Sequence, residues 1–139
     1  LPLNYLREVA FVLTDNRKAD GLVLTTYGYL AHEAGLPLMA GLEMAGHSCQ
    51  ELPRSLTERY KIVNIESLTS MIASSRAEYI IVSRGRELMD FARCKWTPKA
   101  TALAKQHLER YYHALAEFDD VGEQRDDIVI YQRRANGEE

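Results

Sequence analysis

The sequence predicts an α/β protein with a mixed sheet, flanking helices and an antiparallel hairpin at the carboxyl end. Apolar residues near the amino end recur at helical spacing, whereas residues 79–82 form a continuous apolar run typical of a buried strand. Polar and glycine-containing segments separate helix-like from strand-like stretches, as in layered α/β folds. Because the last two strand-like runs follow one another without a helix, an α+β description stays open.

Length and composition indicate one domain, which we expect to span residues 1–134 and to end in a flexible tail at 135–139. The net charge of −3 gives no electrostatic reason to expect nucleic acid as a partner. The apolar runs are much shorter than the roughly 20 residues that cross a bilayer. The chain begins at Leu1 without a methionine, which favours a domain cut from a longer polypeptide.

The first third of the chain predicts a helix, a strand and a second helix. A helix over 4–16 is indicated by apolar residues at steps of three and four, and the apolar run 22–24 predicts a short buried strand. A short helix is expected over 29–34, with Thr25 or Thr26 as its N-cap and Gly35 as its left-handed end. Pro37 favours extended backbone over 36–40.

The middle of the chain predicts a long loop over 41–59, with one helical turn near 55–60, and an edge strand over 60–63. Asn64 can cap a helix that carries apolar residues at 65, 68, 71 and 72. The run 79–82 has four successive residues of high β-propensity, which favours a central position in the sheet.

The last third predicts a long helix and the closing hairpin. Thr97 and Pro98 form an N-cap and first-turn pair. The apolar face of this helix is expected to carry Leu103, Ala104, His107, Leu108 and Tyr111. A strand over 128–131 pairs with 114–118 across a polar turn at 119–127, whose aspartates we interpret as solvated.

Cofactor-binding and catalytic signatures are missing from the sequence. The turn after the first strand offers Gly28 alone, so it contains neither the dinucleotide-binding nor the phosphate-loop pattern, and no G-x-S-x-G is present. We therefore assign no catalytic residue and no cofactor. Glu43 and His47 are four residues apart and could join His32 at a metal ion, but Gly41 and Gly46 disfavour the helix that would align them. We therefore predict no metal site.

Arg84 follows the central strand, and together with Arg86 it could bind a phosphate or carboxylate; a simple polar loop is the alternative. Thr25 and Thr26 could offer hydroxyls to an anion, although caps are the more usual role of threonine at a helix start. Cys49 and Cys94 match no metal motif, and we expect them to be unpaired.

Three segments carry a resemblance to a known family: ADGLVLTTYGYLAHEAGLPLMAGLEMAGHS at 19–48, EYIIVS at 78–83 and IVIYQRR at 128–134. They resemble the soluble region at the carboxyl end of bacterial polytopic glycosyltransferases, the mannosyltransferase-like enzymes that use polyprenyl-phosphate sugars. Tyr29-Leu30-Ala31 and Gly41-Leu42-Glu43-Met44 match the family pattern, while Ala45 stands where a glycine is usual.

The resemblance implies an accessory domain on the extracytoplasmic (periplasmic or extracellular) face of the membrane. Such a domain is not catalytic alone. It covers the active-site mouth, with the membrane-embedded part of the same polypeptide as its partner and a lipid-linked sugar or glycan acceptor as its ligand. In that oxidising compartment a disulfide between Cys49 and Cys94 can form. The alternatives are a free-standing α/β ligand-binding protein or enzyme, and a structural interaction module whose eight tyrosines serve an interface.

The candidate substrate-facing residues are Thr26, Tyr27, Glu43, His47 and Arg84. A substrate-facing loop requires its polar side chains to lie exposed together at one end of the sheet. The tyrosine ring could then stack on a sugar, and the carboxylate could accept hydrogen bonds from its hydroxyls. In the alternative, Tyr27 packs inward and Glu43 caps a turn.

Overall fold

The computed structural model describes residues 2–43, 48–60, 62–85, 87–89, 91, 93–121 and 126–135. Within these ranges lie the helices α1 (Pro2–Asp15), α2 (Gly28–Glu33), α3 (Arg54–Tyr60), α4 (Ile65–Ala73) and α5 (Pro98–Tyr111). The strands are β1 (Val23–Leu24), β2 (Tyr79–Ser83), β3 (Tyr112–Val121) and β4 (Asp126–Arg133). No helix in the described part of the chain has both the length and the apolar composition needed to cross a bilayer.

The strands form one open mixed sheet in the order β1-β2-β4-β3. β1 runs parallel to β2, and the β2–β4 and β4–β3 pairs are antiparallel. The predicted fold class, with its mixed sheet and closing hairpin, is confirmed. β2 lies inside the sheet, between β1 and β4, as its continuous apolar run predicted.

Both faces of β2 are covered, which gives the protein two hydrophobic cores. Ile80 and Val82 point to the core that includes buried residues of α4 and α5. Tyr79 and Ile81 point to the opposite core, beside α1 and α2. The alternation follows from the two-residue repeat of a strand, so a central strand with helices on both sides must be apolar throughout.

Two helices begin at the predicted caps. The Asn64 side chain accepts a hydrogen bond from the Ser67 amide at 2.7 Å, and the Ser67 hydroxyl accepts one from the Asn64 amide, which completes a capping box. Thr97, which directly precedes Pro98, accepts a hydrogen bond from the Ala100 amide at 3.1 Å. These bonds satisfy amide groups that a helix start otherwise leaves without a partner.

The start of α2 differs from the prediction. Its N-cap is Tyr27, which forms no capping bond through its side chain, so the prediction of a threonine cap is wrong. Thr25 instead accepts from the Tyr27 amide at 3.0 Å and donates to the Ile81 carbonyl at 3.1 Å, which ties the chain after β1 to β2. Gly35, with a φ of 68°, is the left-handed residue after the helix, as predicted.

The expected extra strands are reduced to single bridges. Among the described residues, Leu38 forms an isolated bridge with Val23, and Val63 forms one with Cys49. Helix α3 lies where the helical turn near 55–60 was predicted and begins one residue earlier, at Arg54.

The buried face of α5 is narrower than predicted. Ala104 and Leu108 are buried, but Leu103 and Tyr111 are 48% and 43% exposed. A helix packed on one side by a sheet and on the other by α4 buries only the side chains that point into that contact, which spacing alone does not determine.

Cys49 and Cys94 form a disulfide, so the prediction of unpaired cysteines is wrong. The bridge with Val63 holds Cys49 in place, and the Trp96 indole donates to the Met89 carbonyl at 2.9 Å near Cys94. The disulfide therefore joins the segment before α3 to the segment before α5, two stretches with little regular structure of their own.

Glu78, at the start of β2, is a buried carboxylate with 1% exposure. It accepts hydrogen bonds from the backbone amides of Lys18 at 2.6 Å and of Ala19 and Gly21 at 2.9 Å. Gln132 of β4 donates to it at 3.2 Å. Burial alone would raise the pKa of Glu78, but the hydrogen bonds, first those from the amides and then that from Gln132, outweigh burial and hold this pKa below its ordinary value.

We predict that Glu78→Ala lowers the free energy of unfolding by about 3 kcal/mol, because three backbone donors lose a buried acceptor. Since folding lowers the pKa of Glu78, its contribution is present above the ordinary value of 4.5 and is lost as pH falls through the folded-state pKa. Glu78→Gln should therefore reduce the loss of stability as the pH falls below about 5. Urea unfolding at several pH values measures both effects, with exposed Glu33→Gln as the matched control. An unchanged acid slope in Glu78→Gln would contradict the prediction.

Candidate functional site

The carboxyl ends of β1 and β2 meet at one edge of the sheet because the two strands are parallel. Residues 25–27 follow β1, and residues 84–85 follow β2. The antiparallel β4 begins at the same edge, where the Arg84 amide donates to the Asp127 carbonyl at 2.9 Å. We call this region the strand-end region; it brings together Tyr27, Ser83, Arg84, Asp126 and Asp127.

Tyr27 is half-buried in the strand-end region. Its hydroxyl donates to Asp126 Oδ2 at 2.9 Å, and its ring packs edge-on against the exposed ring of Tyr29, with 6.4 Å between centroids. Burial and the nearby Asp126 carboxylate raise the pKa of Tyr27, while Ser83 acts in the opposite direction. The phenol therefore stays protonated and serves as a hydrogen-bond donor.

Thr26 and Glu43, the other predicted residues of the 25–47 loop that the structure describes, do not both lie exposed with Tyr27. Thr26 is buried, with 8% exposure. Glu43 is exposed, but its Oε2 accepts from the Gly41 amide at 2.9 Å, which is the turn-capping role of the alternative. His47 lies outside the described residues. Whether any of these side chains faces a substrate stays a prediction.

Arg84 is exposed in the strand-end region and surrounded by carboxylates. Its guanidinium contacts Glu117 at 3.0 Å, Asp119 at 2.7 Å and Asp127 at 3.6 Å. Asp119 and Asp127, which we interpreted as merely solvated, are thus ion-pair partners. Because three negative groups already surround it, Arg84 is poorly suited to bind a further anion. Arg86 lies outside the described residues.

A groove opens between α5 and the sheet next to Arg84, with a volume of about 270 Å³. We call it the α5 groove. Apolar side chains form its base and polar side chains its rim, and the lining consists of Val82, Ser83, Arg84, Gly85, Leu88, Thr101, Lys105, Leu108, Glu109, Val129 and Tyr131. The sequence offered one signal for it, the polar residues Thr101, Lys105 and Glu109 at steps of four along a helix.

A second groove of about 330 Å³ lies between α4 and α5. His107 borders it, contacts the Ser75 hydroxyl through Nε2 at 2.7 Å and packs against the Tyr111 ring. Burial lowers the pKa of His107. The hydrogen bond and the ring contact indicate that this histidine links α5 to the end of α4.

One cluster of metal-binding residue types occurs in the described ranges, formed by Cys49, Glu51 and Cys94 with their ligand atoms within 4.8 Å of one another. A cysteine binds zinc as its thiolate, and in the disulfide both sulfurs are bonded to each other. The cluster in this oxidised form therefore has no sulfur ligand to offer.

No protein-family model, curated protein or solved structure matches this chain.

We predict that the Tyr27–Asp126 hydrogen bond links the start of α2 to β4 and contributes about 1 kcal/mol to stability. Tyr27→Phe and Asp126→Asn should each lower the free energy of unfolding, and the double variant should lose less than the sum of the two. Denaturant unfolding measures the cycle, with Tyr111→Phe, on an exposed tyrosine at the end of α5, as the control. Additive losses would show that the two groups do not interact.

Proposed function

We propose that the chain is the extracytoplasmic accessory domain of a membrane-embedded glycosyltransferase. In this role it covers the mouth of the active site and contacts the glycan acceptor or the lipid-linked sugar donor. The proposal originates in the resemblance carried by Tyr29-Leu30-Ala31 and Gly41-Leu42-Glu43-Met44. Its main structural support is the disulfide between Cys49 and Cys94.

The disulfide favours an oxidising compartment, because the cytosol keeps most thiols reduced. Both cysteines are fully buried, and 45 residues of sequence separate them. Closing a loop of this length stabilises a fold by about 4 kcal/mol in the chain-entropy model. A domain that depends on such a bond is suited to the periplasm or the cell exterior.

The side chains of the strand-end region favour the binding of a hydroxyl-rich ligand over that of an anion. Tyr29 is exposed, and Tyr27 beside it carries a hydroxyl bonded to Asp126. Tyrosine rings cover the apolar face of a sugar, and carboxylates accept bonds from its hydroxyls. In this proposal the chain supplies no catalytic group, and the acids that perform transfer belong to the membrane-embedded part.

The second candidate is a free-standing ligand-binding protein. The observation that favours it is the α5 groove, a cavity of about 270 Å³ with an apolar base and a polar rim. The reading frame upstream of Leu1 distinguishes the candidates. Eight or more apolar segments of about 20 residues would support the transferase, and a start codon directly before Leu1 would overturn it.

We predict that the chain exported to a bacterial periplasm carries no free thiol, and that a reducing agent or Cys49→Ser lowers its melting temperature. The expected loss is about 4 kcal/mol, because the unfolded chain regains the entropy of an open loop. Thiol titration under denaturing conditions and thermal unfolding measure the two effects. Free thiols in the exported protein, or equal stability of the reduced form, would contradict the proposed compartment.

In the full-length enzyme, Tyr27→Ala and Glu43→Gln should each lower transfer to the acceptor by more than their loss of thermal stability accounts for. The reason is that both would remove contacts to substrate. Tyr111→Ala, on an exposed tyrosine of α5, is the control and should leave transfer unchanged. Full activity in both variants, or activity lost only in step with stability, would mean that residues 25–47 merely turn the chain.

A further inference from the structure

We infer that the α5 groove binds one neutral sugar ring, with Tyr131 beneath the apolar face of the ring and Lys105 and Glu109 at its hydroxyls. The groove is separate from the loop residues assigned above, and the two regions share only the end of β2 at Ser83 and Arg84. The groove chemistry itself points to a neutral hydroxylated ring. The choice of a sugar among such ligands rests on the proposed function.

The size of the groove suits one ring. Its volume of about 270 Å³ lies just below the roughly 300–1,000 Å³ of pockets that hold drug-sized ligands. A groove of this volume, open to solvent on the side of exposed Lys105 and Glu109, takes a single ring of an oligosaccharide and leaves the neighbouring rings in water.

Tyr131 provides an aromatic surface in the groove. It is half-buried on β4, and its cross-strand neighbours are Ile80 on β2 and the small, exposed Ala114 on β3. Because Ala114 has only a methyl group, it leaves part of the tyrosine ring uncovered. The C–H face of a pyranose packs on such a ring, and Val82 and Val129 extend the apolar base.

The rim carries polar groups that have no partner in the described structure. Lys105 and Glu109 form no ion pair with any described residue, although they lie one turn apart on α5. An ammonium donates and a carboxylate accepts, and the Thr101 hydroxyl one turn earlier does both. Donors and acceptors in alternation match vicinal sugar hydroxyls, each of which also donates and accepts.

The charge around the groove disfavours an anionic ligand. The guanidinium of Arg84 is occupied by Glu117, Asp119 and Asp127, and Lys105 is the other cation in the described lining. Burial and then the carboxylates of Glu117 and Glu109 raise the pKa of Tyr131, which indicates a negative potential at its hydroxyl. A phosphate or carboxylate would enter against this potential, whereas a neutral ring would not.

The test is a titration of the isotope-labelled 139-residue chain followed by amide NMR. The probes are methyl α-D-glucopyranoside, methyl α-D-mannopyranoside, methyl β-D-galactopyranoside and, separately, inorganic phosphate. We expect at least one pyranoside to shift the amides of Gly85, Thr101, Lys105 and Tyr131 saturably, and phosphate to leave them unchanged. No pyranoside shift at these amides, or a phosphate shift in place of one, would overturn the inference.

Variants separate the groove from general effects on folding. Glu109→Ala and Lys105→Ala should each weaken pyranoside binding about tenfold, as expected for the loss of a hydrogen bond to a charged group. Lys99→Ala, an exposed lysine of the same helix outside the groove, should bind as the unaltered chain does. The same spectra report whether each variant is folded. If both groove variants bind unchanged, the groove is not the site.

This experiment and the test of the proposed function fail independently. Pyranoside binding with a start codon directly before Leu1 would retain the sugar groove and reject the transferase. Upstream membrane segments without pyranoside binding would retain the transferase and reject the groove.

Discussion

The buried carboxylate of Glu78 is the contact on which the arrangement of the strands depends. It holds the connection between α1 and β1 through the Lys18, Ala19 and Gly21 amides, and it meets Gln132 of β4 on the other side of β2. The α1–β1 connection, β2 and β4 are therefore fixed relative to one another at a single ionised group. Its desolvation is balanced by donors from the backbone, which keep the group ionised inside the fold.

The sequence predicted those parts of the fold that local patterns determine. The central place of β2 followed from four apolar residues in a row, and the starts of α4 and α5 followed from Asn64 and Thr97. Contacts between distant segments were not predictable in the same way. The exposure of Leu103 depends on how α5 is rotated against the sheet, and the Cys49–Cys94 bond depends on two irregular segments that other contacts bring together.

In the candidate site, too, features set by local sequence were predictable and contacts between distant segments were not. That Tyr27 and Arg84 would meet at one edge of the sheet could be inferred from two neighbouring strands and their turns. The partners of these residues could not, because Asp126 is 99 positions from Tyr27 and Glu117 is 33 positions from Arg84. The α5 groove is still harder to predict from the sequence, because its lining combines a strand end, one face of a helix and a second strand.

The carboxylates of the β3–β4 hairpin connect these observations. They neutralise Arg84, which the sequence suggested as an anion-binding residue, whereas Lys105, the other cation in the described lining of the groove, forms no ion pair with a described residue. Exposed ion pairs of this kind add little stability, because water competes for each partner. Their consequence is instead electrostatic. By placing negative charge at the rim, the hairpin makes the edge of the sheet less favourable for anions, which is the electrostatic basis for proposing a neutral, hydroxyl-rich ligand there.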